Sequence, residues 1–253
     1  MLAARSELLI LAPRFKERLF MSRYLKQTRI LVAVDCIIFG FDGQELKLLL
    51  IQRGLEPLKG RWSLVGGFLK ENESLEDGAA HVLQQLTGLQ GVYMEQLYAF
   101  SKPDRDSVER TISVAYFALI DLDQYRQQLS EEYHAEWVSL RGLPDLIFDH
   151  KEMVAEAKKR LRYKAALHPI LFELLPDKFT VPQLQNLYEG VYDSLFDKRN
   201  FSRKVLSTGL LVKQKSKDKL NSKKGAFYYK LDKRKYNAKF HSFLNFIPNP
   251  NKF

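Results

Sequence analysis

The chain has 253 residues, one cysteine and a net charge of +10. That length is long for one domain and comfortable for two. A hydrophobic fraction of 45% and a charged fraction of 28% exclude a low-complexity or fibrous chain, and the lone Cys36 excludes an intrachain disulfide. Set in the apolar run Val34–Phe39, Cys36 reads as a buried structural thiol in a reducing, cytoplasmic protein. No apolar run reaches the ~18–20 residues that cross a bilayer, so no membrane partner is expected. The charge is uneven: residues 151–253 hold 23 Lys and Arg against 9 Asp and Glu, and residues 1–150 are slightly acidic. An acidic first half joined to a basic second half suggests two tasks, with nucleic acid the expected partner of the basic one.

In chain order, residues 1–24 read as a tail, with Met21 an alternative start. Ile30–Phe39 is β-branched and aromatic and reads as a buried strand. Asp42-Gly43 signals a tight turn, and Lys47–Gln52 the returning strand. Pro57–Gly60 is a loop. Arg61–Val65 leads to Gly66-Gly67, read as a bend that lets the backbone approach a ligand. Ser74–Leu86 is predicted as a helix, capped by Ser74, with apolar spacing at Leu75, Ala79, Val82, Leu83 and Leu86 and a stop at Gly88. Tyr93–Phe100, Thr111–Ile120 and Glu136–Val138 are further strands, and Asp149–Ala166 a helix linking the halves.

The stretch from Gly67 to Leu89 resembles the Nudix signature, G-x5-E-x7-R-E-U-x-E-E-x-G-U, where U is a bulky aliphatic. Gly67, Glu73, Gly88 and Leu89 stand at the family spacing. The family's R-E-U-x-E-E is here His81-Val82-Leu83-Gln84-Gln85-Leu86. The resemblance implies a mixed sheet sandwiched between helices over residues 25–165. In that family the helix glutamates bind a divalent cation, usually Mg²⁺, and hydrolyse a diphosphate. Val82, Gln85 and Leu86 are two hydrocarbons and a neutral amide, so no metal, cofactor or catalytic residue is expected. A ligand pocket can survive the loss, walled by Trp62, Phe68 and Phe100. Polar groups would come from Asp35, Arg53 and the loop containing Asp104, Asp106 and Arg110. That D-R-D-x-x-x-R loop resembles those of Nudix proteins related to enzymes acting on ADP-ribose, and it reads equally as a solvated loop braced by its own charges.

Beyond residue 166, Pro169–Leu175, Val181–Val191 and Asp197–Ser207 are three short helical candidates, followed by strands at Leu210–Val212 and Ala226–Leu231. This is the layout of a winged helix-turn-helix, whose third helix enters the major groove. Phe201 and Val205 would face the core. Lys198, Arg199, Asn200, Ser202, Arg203 and Lys204 would face DNA, helped by the wing lysines Lys215, Lys217, Lys223 and Lys224. Residues 198–239 hold 15 basic and 2 acidic residues, which favours that reading over a solvated helical cap. Residues 241–253 read as a disordered tail.

A degenerate Nudix domain followed by a winged helix, an α+β chain with domains at 25–165 and 166–240, resembles the Nudix-related transcription regulators. Asp35–Gly40, Trp62–Phe68, Leu86–Leu89, Ile147–His150 and Asp197–Phe201 look closest to their arabinose-responsive group. The resemblance implies a homodimer on a palindromic operator, released when a sugar effector such as L-arabinose fills the Nudix pocket. Two alternatives stay open. One is a Nudix hydrolase of a compound such as ADP-ribose, using displaced acids such as Glu73 or Glu109. The other is a regulator sensing such a nucleotide.

Overall fold

The computed structural model describes residues 27–122, 133–167, 170–219 and 225–238. The expected tails, Pro169 and the wing lysines Lys223 and Lys224 lie outside the described residues. The first strand, β1 (Leu31–Phe41), carries the apolar run LVAVDCIIFGF and is buried almost throughout. Side chains alternate across a strand, so β1 feeds two cores. Val34, Cys36 and Ile38 join one, with Ala79, Val82 and Leu83. Ile37, Phe39 and Phe41 join the other, with Met153, Val154, Ala157 and Leu161.

The sheet around β1 is mixed. It contains β2 (Leu46–Gln52), β3 (Trp62–Ser63), β4 (Val65–Phe68), β5 (Glu95–Phe100), β6 (Thr111–Asp121) and β7 (Glu136–Ser139). Its main path runs β3-β2-β1-β6-β5, with β4 on β1 and β7 on β2. β1 and β6 are parallel from Leu31 opposite Thr111 to Phe41 opposite Asp121, whereas β2 and β4 run antiparallel to β1. Helix α1 (Leu75–Thr87, preceding β5) covers one face; Ser74 caps it by accepting from the Asp77 N–H, and Gly88 ends it at φ 82°. Helix α2 (His150–Leu167) covers the other face. The expected sandwich is therefore present.

One local expectation fails. Gly66 and Gly67 make no bend; they sit inside β4, opposite Asp35 and Val34 of β1. Their reason is proximity. A Cβ on Gly66 would lie 2.1 Å from Asp35 Oδ1, and one on Gly67 2.9 Å from Val82 Cγ2.

The second domain begins with a 3-10 segment, Ile170–Leu174, where a helix was expected. It continues with β8 (Phe179–Thr180), α3 (Val181–Tyr192), α4 (Lys198–Ser207), β9 (Leu211–Asp218), β10 (Ala226–Leu231) and α5 (Lys233–Ala238). Thr180 and Gln183 form a reciprocal capping box at the start of α3, and Asp197 caps α4 by accepting from the Asn200 N–H. β9 runs six residues past the Val212 end expected from the sequence, and β8, β10 and β9 form one small sheet.

The two domains share apolar packing. Leu171, Phe179, Leu184, Tyr188, Phe201 and Val205 belong to the same cluster as Phe39, Leu48 and Leu161. Polar contacts fix the joint. Arg162 of α2 donates through Nε to the Val191 carbonyl at 2.8 Å. Its Nη2 and Lys158 Nζ reach the Asp193 carboxylate at 2.6 and 2.7 Å. Asp193 ends α3 in the left-handed region, at φ 49°. Lys164 also pairs with Glu95, tying α2 to β5.

Candidate functional site

The N-terminus of α2 stands on a buried ionic cluster. Asp35 of β1 accepts from Ser113 Oγ at 2.5 Å. Arg105, from the loop between β5 and β6, makes a fork to Asp149: Nε to Oδ2 at 2.9 Å and Nη2 to Oδ1 at 2.7 Å. The same Nη2 lies 3.7 Å from Asp35 Oδ2. His150 Nδ1 accepts from the Leu64 N–H at 3.1 Å. That assigns the ring proton to Nε2, which faces Asp35 Oδ1 at 3.6 Å. Burial lowers the His150 pKa, against the pull of Asp35 and Asp149, so the ring is neutral at neutral pH.

Buried charges persist only when paired, and here each is. Asp35 was expected in the ligand pocket. It is 6% exposed and lies under Gly66, so the structure places it beneath the site as an anchor. The cluster joins β1, β4, β6, the 101–110 loop and α2 at one point. Sequence reasoning singled out none of Arg105, Asp149 and His150 as site residues. The signal available was the pairing of a D-R-D loop with the Phe148-Asp149-His150 segment.

Around this anchor the other expected ligand residues divide. Arg53 lies over the Phe148 ring, 5.2 Å from its centroid, and its Nε donates to the Leu55 and Pro57 carbonyls at 3.0 and 2.9 Å. Trp62 is half-buried, and its carbonyl accepts from the Ile147 N–H at 3.1 Å. Arg53 and Trp62 thus meet the start of α2. Phe148 holds φ 49°, a conformation costly for a bulky side chain and common at ligand sites. Asp104 is exposed. Asp106 accepts from the Val108 N–H at 2.9 Å. Arg110 donates to the Ser101, Lys102 and Thr111 carbonyls. Asp106 and Arg110 therefore brace their own loop. Phe100 meets Tyr98 edge-on, centroids 5.5 Å apart. With Glu152, Ala155, Glu156 and Lys159 of α2 these rings line an open cleft of about 470 Å³. Phe68 is 48% exposed at the end of β4 and does not line that cleft.

At positions 82, 85 and 86 the signature helix carries two hydrocarbons and an amide. Val82 is buried against Gly67, Gln85 is exposed, and Leu86 packs on the core. Glu73 binds inward to the Lys70 N–H and to His81 Nδ1, at 3.2 and 3.0 Å. Among the described residues no group of three or more His, Cys, Asp or Glu side chains is arranged to hold a metal ion. A hard divalent cation needs several oxygen ligands, so the donors at these positions do not fit one.

The winged domain presents the opposite character. Phe201 and Val205 turn α4 inward. Lys198, Arg199, Asn200, Arg203 and Lys204 are exposed, and Ser202 is half-buried. Arg203 Nη2 donates to Asn200 Oδ1 at 2.9 Å, which orients its guanidinium. On β9, Lys213, Lys215 and Lys217 are all exposed. Lys215 is free of the contact that Lys213 and Lys217 make, each lying over the Phe227 ring.

A Nudix-type sandwich with Val82, Gln85 and Leu86 on its signature helix, docked onto a winged helix with a basic outer face, is a two-part architecture in which fold and surface agree. Comparison with known proteins places it further. Residues 29–159 match the NUDIX domain, and residues 171–231 match the NrtR DNA-binding winged helix domain. The chain is 33% identical over 236 residues to the ADPR responsive transcriptional repressor NtrR of Acinetobacter baylyi, covering 91% of this chain and 94% of that protein. It is 30% identical over 154 residues to an ADP-ribose pyrophosphatase of Methanocaldococcus jannaschii, covering 60% of this chain and 87% of that one. The crystal structure of Shewanella oneidensis NrtR complexed with a 27mer DNA superposes with a TM-score of 0.65 at 31% identity, covering 79% of this chain and 93% of that one. The chain belongs to the NrtR family of NUDIX proteins.

Proposed function

We propose that this protein is a transcription repressor that binds an operator through α4 and β9 and is released by ADP-ribose. The observation that carries the reading is the α4 surface, where Lys198, Arg199, Arg203 and Lys204 project outward while Phe201 and Val205 anchor the helix. A homodimer would place two such helices on half-sites one helical turn apart, or a multiple of it. The relatives named for ADP-ribose support that effector. The expectation of a pentose such as L-arabinose has no such support among them and gives way to the nucleotide alternative.

The effector site is the surface around Arg53, Phe148, the 101–110 loop and the first turns of α2. Guanidinium groups and carboxylates suit a diphosphate and ribose hydroxyls. α2 then offers the physical route to the DNA. It begins on the ionic cluster and ends clamped to α3 by Arg162 and Lys158. A tenfold weakening of operator binding requires about 1.4 kcal/mol of coupling. Hydrolysis is not expected, because Val82, Gln85 and Leu86 supply no carboxylate.

The test is operator selection from genomic fragments, followed by titration with ADP-ribose and L-arabinose. ADP-ribose is expected to raise thermal stability and release the fragment, and L-arabinose to do neither. Equal affinity for selected and random duplex at physiological salt would overturn DNA recognition. Mg²⁺-dependent turnover of ADP-ribose, abolished by Glu73→Gln, would restore the hydrolase.

A further inference from the structure

We propose that Phe227 is a positioning residue that gathers Lys213 and Lys217 into one binding site for a DNA backbone phosphate. The inference rests on the DNA-binding reading and deepens it. Lys213 Nζ lies 3.7 Å from the Phe227 ring centroid and Lys217 Nζ 4.4 Å from the same point. An aromatic face attracts an ammonium group, and here one ring holds two. Two like charges at one ring repel, and a phosphate at the ring would offset that local excess of positive charge.

The backbone is shaped for this. Lys217 pairs with Phe227, and Lys213 with Tyr229. Four residues of β9 thus span what two residues of β10 span, and the ladder is irregular between Phe227 and Tyr229. A bulge of this kind re-aims side chains; here it brings two lysines four positions apart to one ring. Gly225 supplies the second accommodation. It holds φ +74°, and a Cβ there would sit 3.3 Å from Lys217 Cδ and 3.4 Å from Lys217 Cβ. Glycine leaves room for the lysine stem to cross the end of β10 toward Phe227. Neither lysine has a carboxylate partner among the described residues. The site lies on the wing, in the same small domain as the basic face of α4, where a duplex backbone would run.

A phosphate site of this kind reads no base. Phe227→Leu keeps both charges and loses their organiser. It should weaken selected operator and random duplex alike, by roughly three- to tenfold. Phe227→Tyr, which keeps an aromatic face, should restore wild-type affinity. Lys213→Gln and Lys217→Gln should together lower the slope of log affinity against log salt by about 0.9, the value for one phosphate rather than two. Thermal unfolding and the ADP-ribose shift of the full chain report whether each variant folds. The proposal is overturned if wild type binds DNA and folded Phe227→Leu binds with unchanged affinity, or if Tyr fails to rescue where Leu weakens. If wild type binds no duplex at any salt concentration, the DNA-binding reading itself has failed.

Discussion

Two charged regions of this molecule are built on opposite principles. Around Asp35, Arg105 and Asp149 every charge is buried and has its partner inside the chain. On α4 and β9, Lys198, Arg199, Lys204 and Lys215 are exposed and have no carboxylate partner among the described residues. Charge matched within the chain fixes structure, since removing one member strands the other. Charge left unmatched on one face is available to a partner that supplies the counter-charge. The distinction sets Arg105, the buried member of the D-R-D loop, as an anchor and leaves the exposed basic face of the winged domain open to the proposed partner.

Substitutions in each region should break or sharpen this contrast. The largest effect is expected from Arg105→Leu, which strands Asp149 and leaves Asp35 short of a cation. It should cost about 3–5 kcal/mol of stability in urea unfolding; a loss below about 1 kcal/mol, typical of exposed pairs, would show that water already serves the cluster. Gly66→Ala drives a methyl group into the Asp35 carboxylate and should cost about 1–3 kcal/mol by overpacking. On the other side of the contrast, Arg199→Ala should leave the melting temperature unchanged and weaken operator binding by about 1–3 kcal/mol. A fall in stability instead would make that arginine structural.

His150 gives the contrast a pH dependence. Its folded pKa lies below the ordinary 6.5, so the unfolded chain binds the proton more readily. Its contribution is present in full above pH 6.5 and is lost as pH falls through that value toward the folded pKa. A stability profile between pH 5 and 8 should decline on the acid side, and His150→Asn should flatten the decline. The smallest effect is expected from Lys102→Ala. Lys102 pairs with Glu152 at 2.8 Å, but both side chains are well exposed, so the melting temperature should not move measurably.

What could be read from the sequence was what is local to it. Ser74, Thr180 and Asp197 cap helices three residues away, and each was visible as a capping residue before an apolar repeat. Cys36 declared its burial through its neighbours; its thiol donates to the Ala79 carbonyl at 3.7 Å, and burial raises its pKa. Phe201 and Val205, one turn apart, set the inner face of α4. Features that depend on distant partners were missed. Gly66 reads as a bend until Asp35, on a neighbouring strand, is seen beneath it. Arg105 meets Asp149 across 44 positions; both segments carry complementary charge, but neither local pattern says which charges pair. The lysines after Val212 are poor strand formers, and pairing with β10 overrides that preference as far as Asp218.

The apolar cluster that runs from Phe39 and Leu48 through Leu161 to Tyr188 and Phe201 also bears on how the chain folds. A cut between the halves near residue 165 would pass through packed side chains and strip Leu161, Ala165 and Leu171 of part of their shared cluster. Sensor and winged helix are then one cooperative unit, and a calorimetric trace of the whole protein should show a single endotherm. A protease that nicks the joint should release two fragments that aggregate, because neither half can wet the surface it shares with the other.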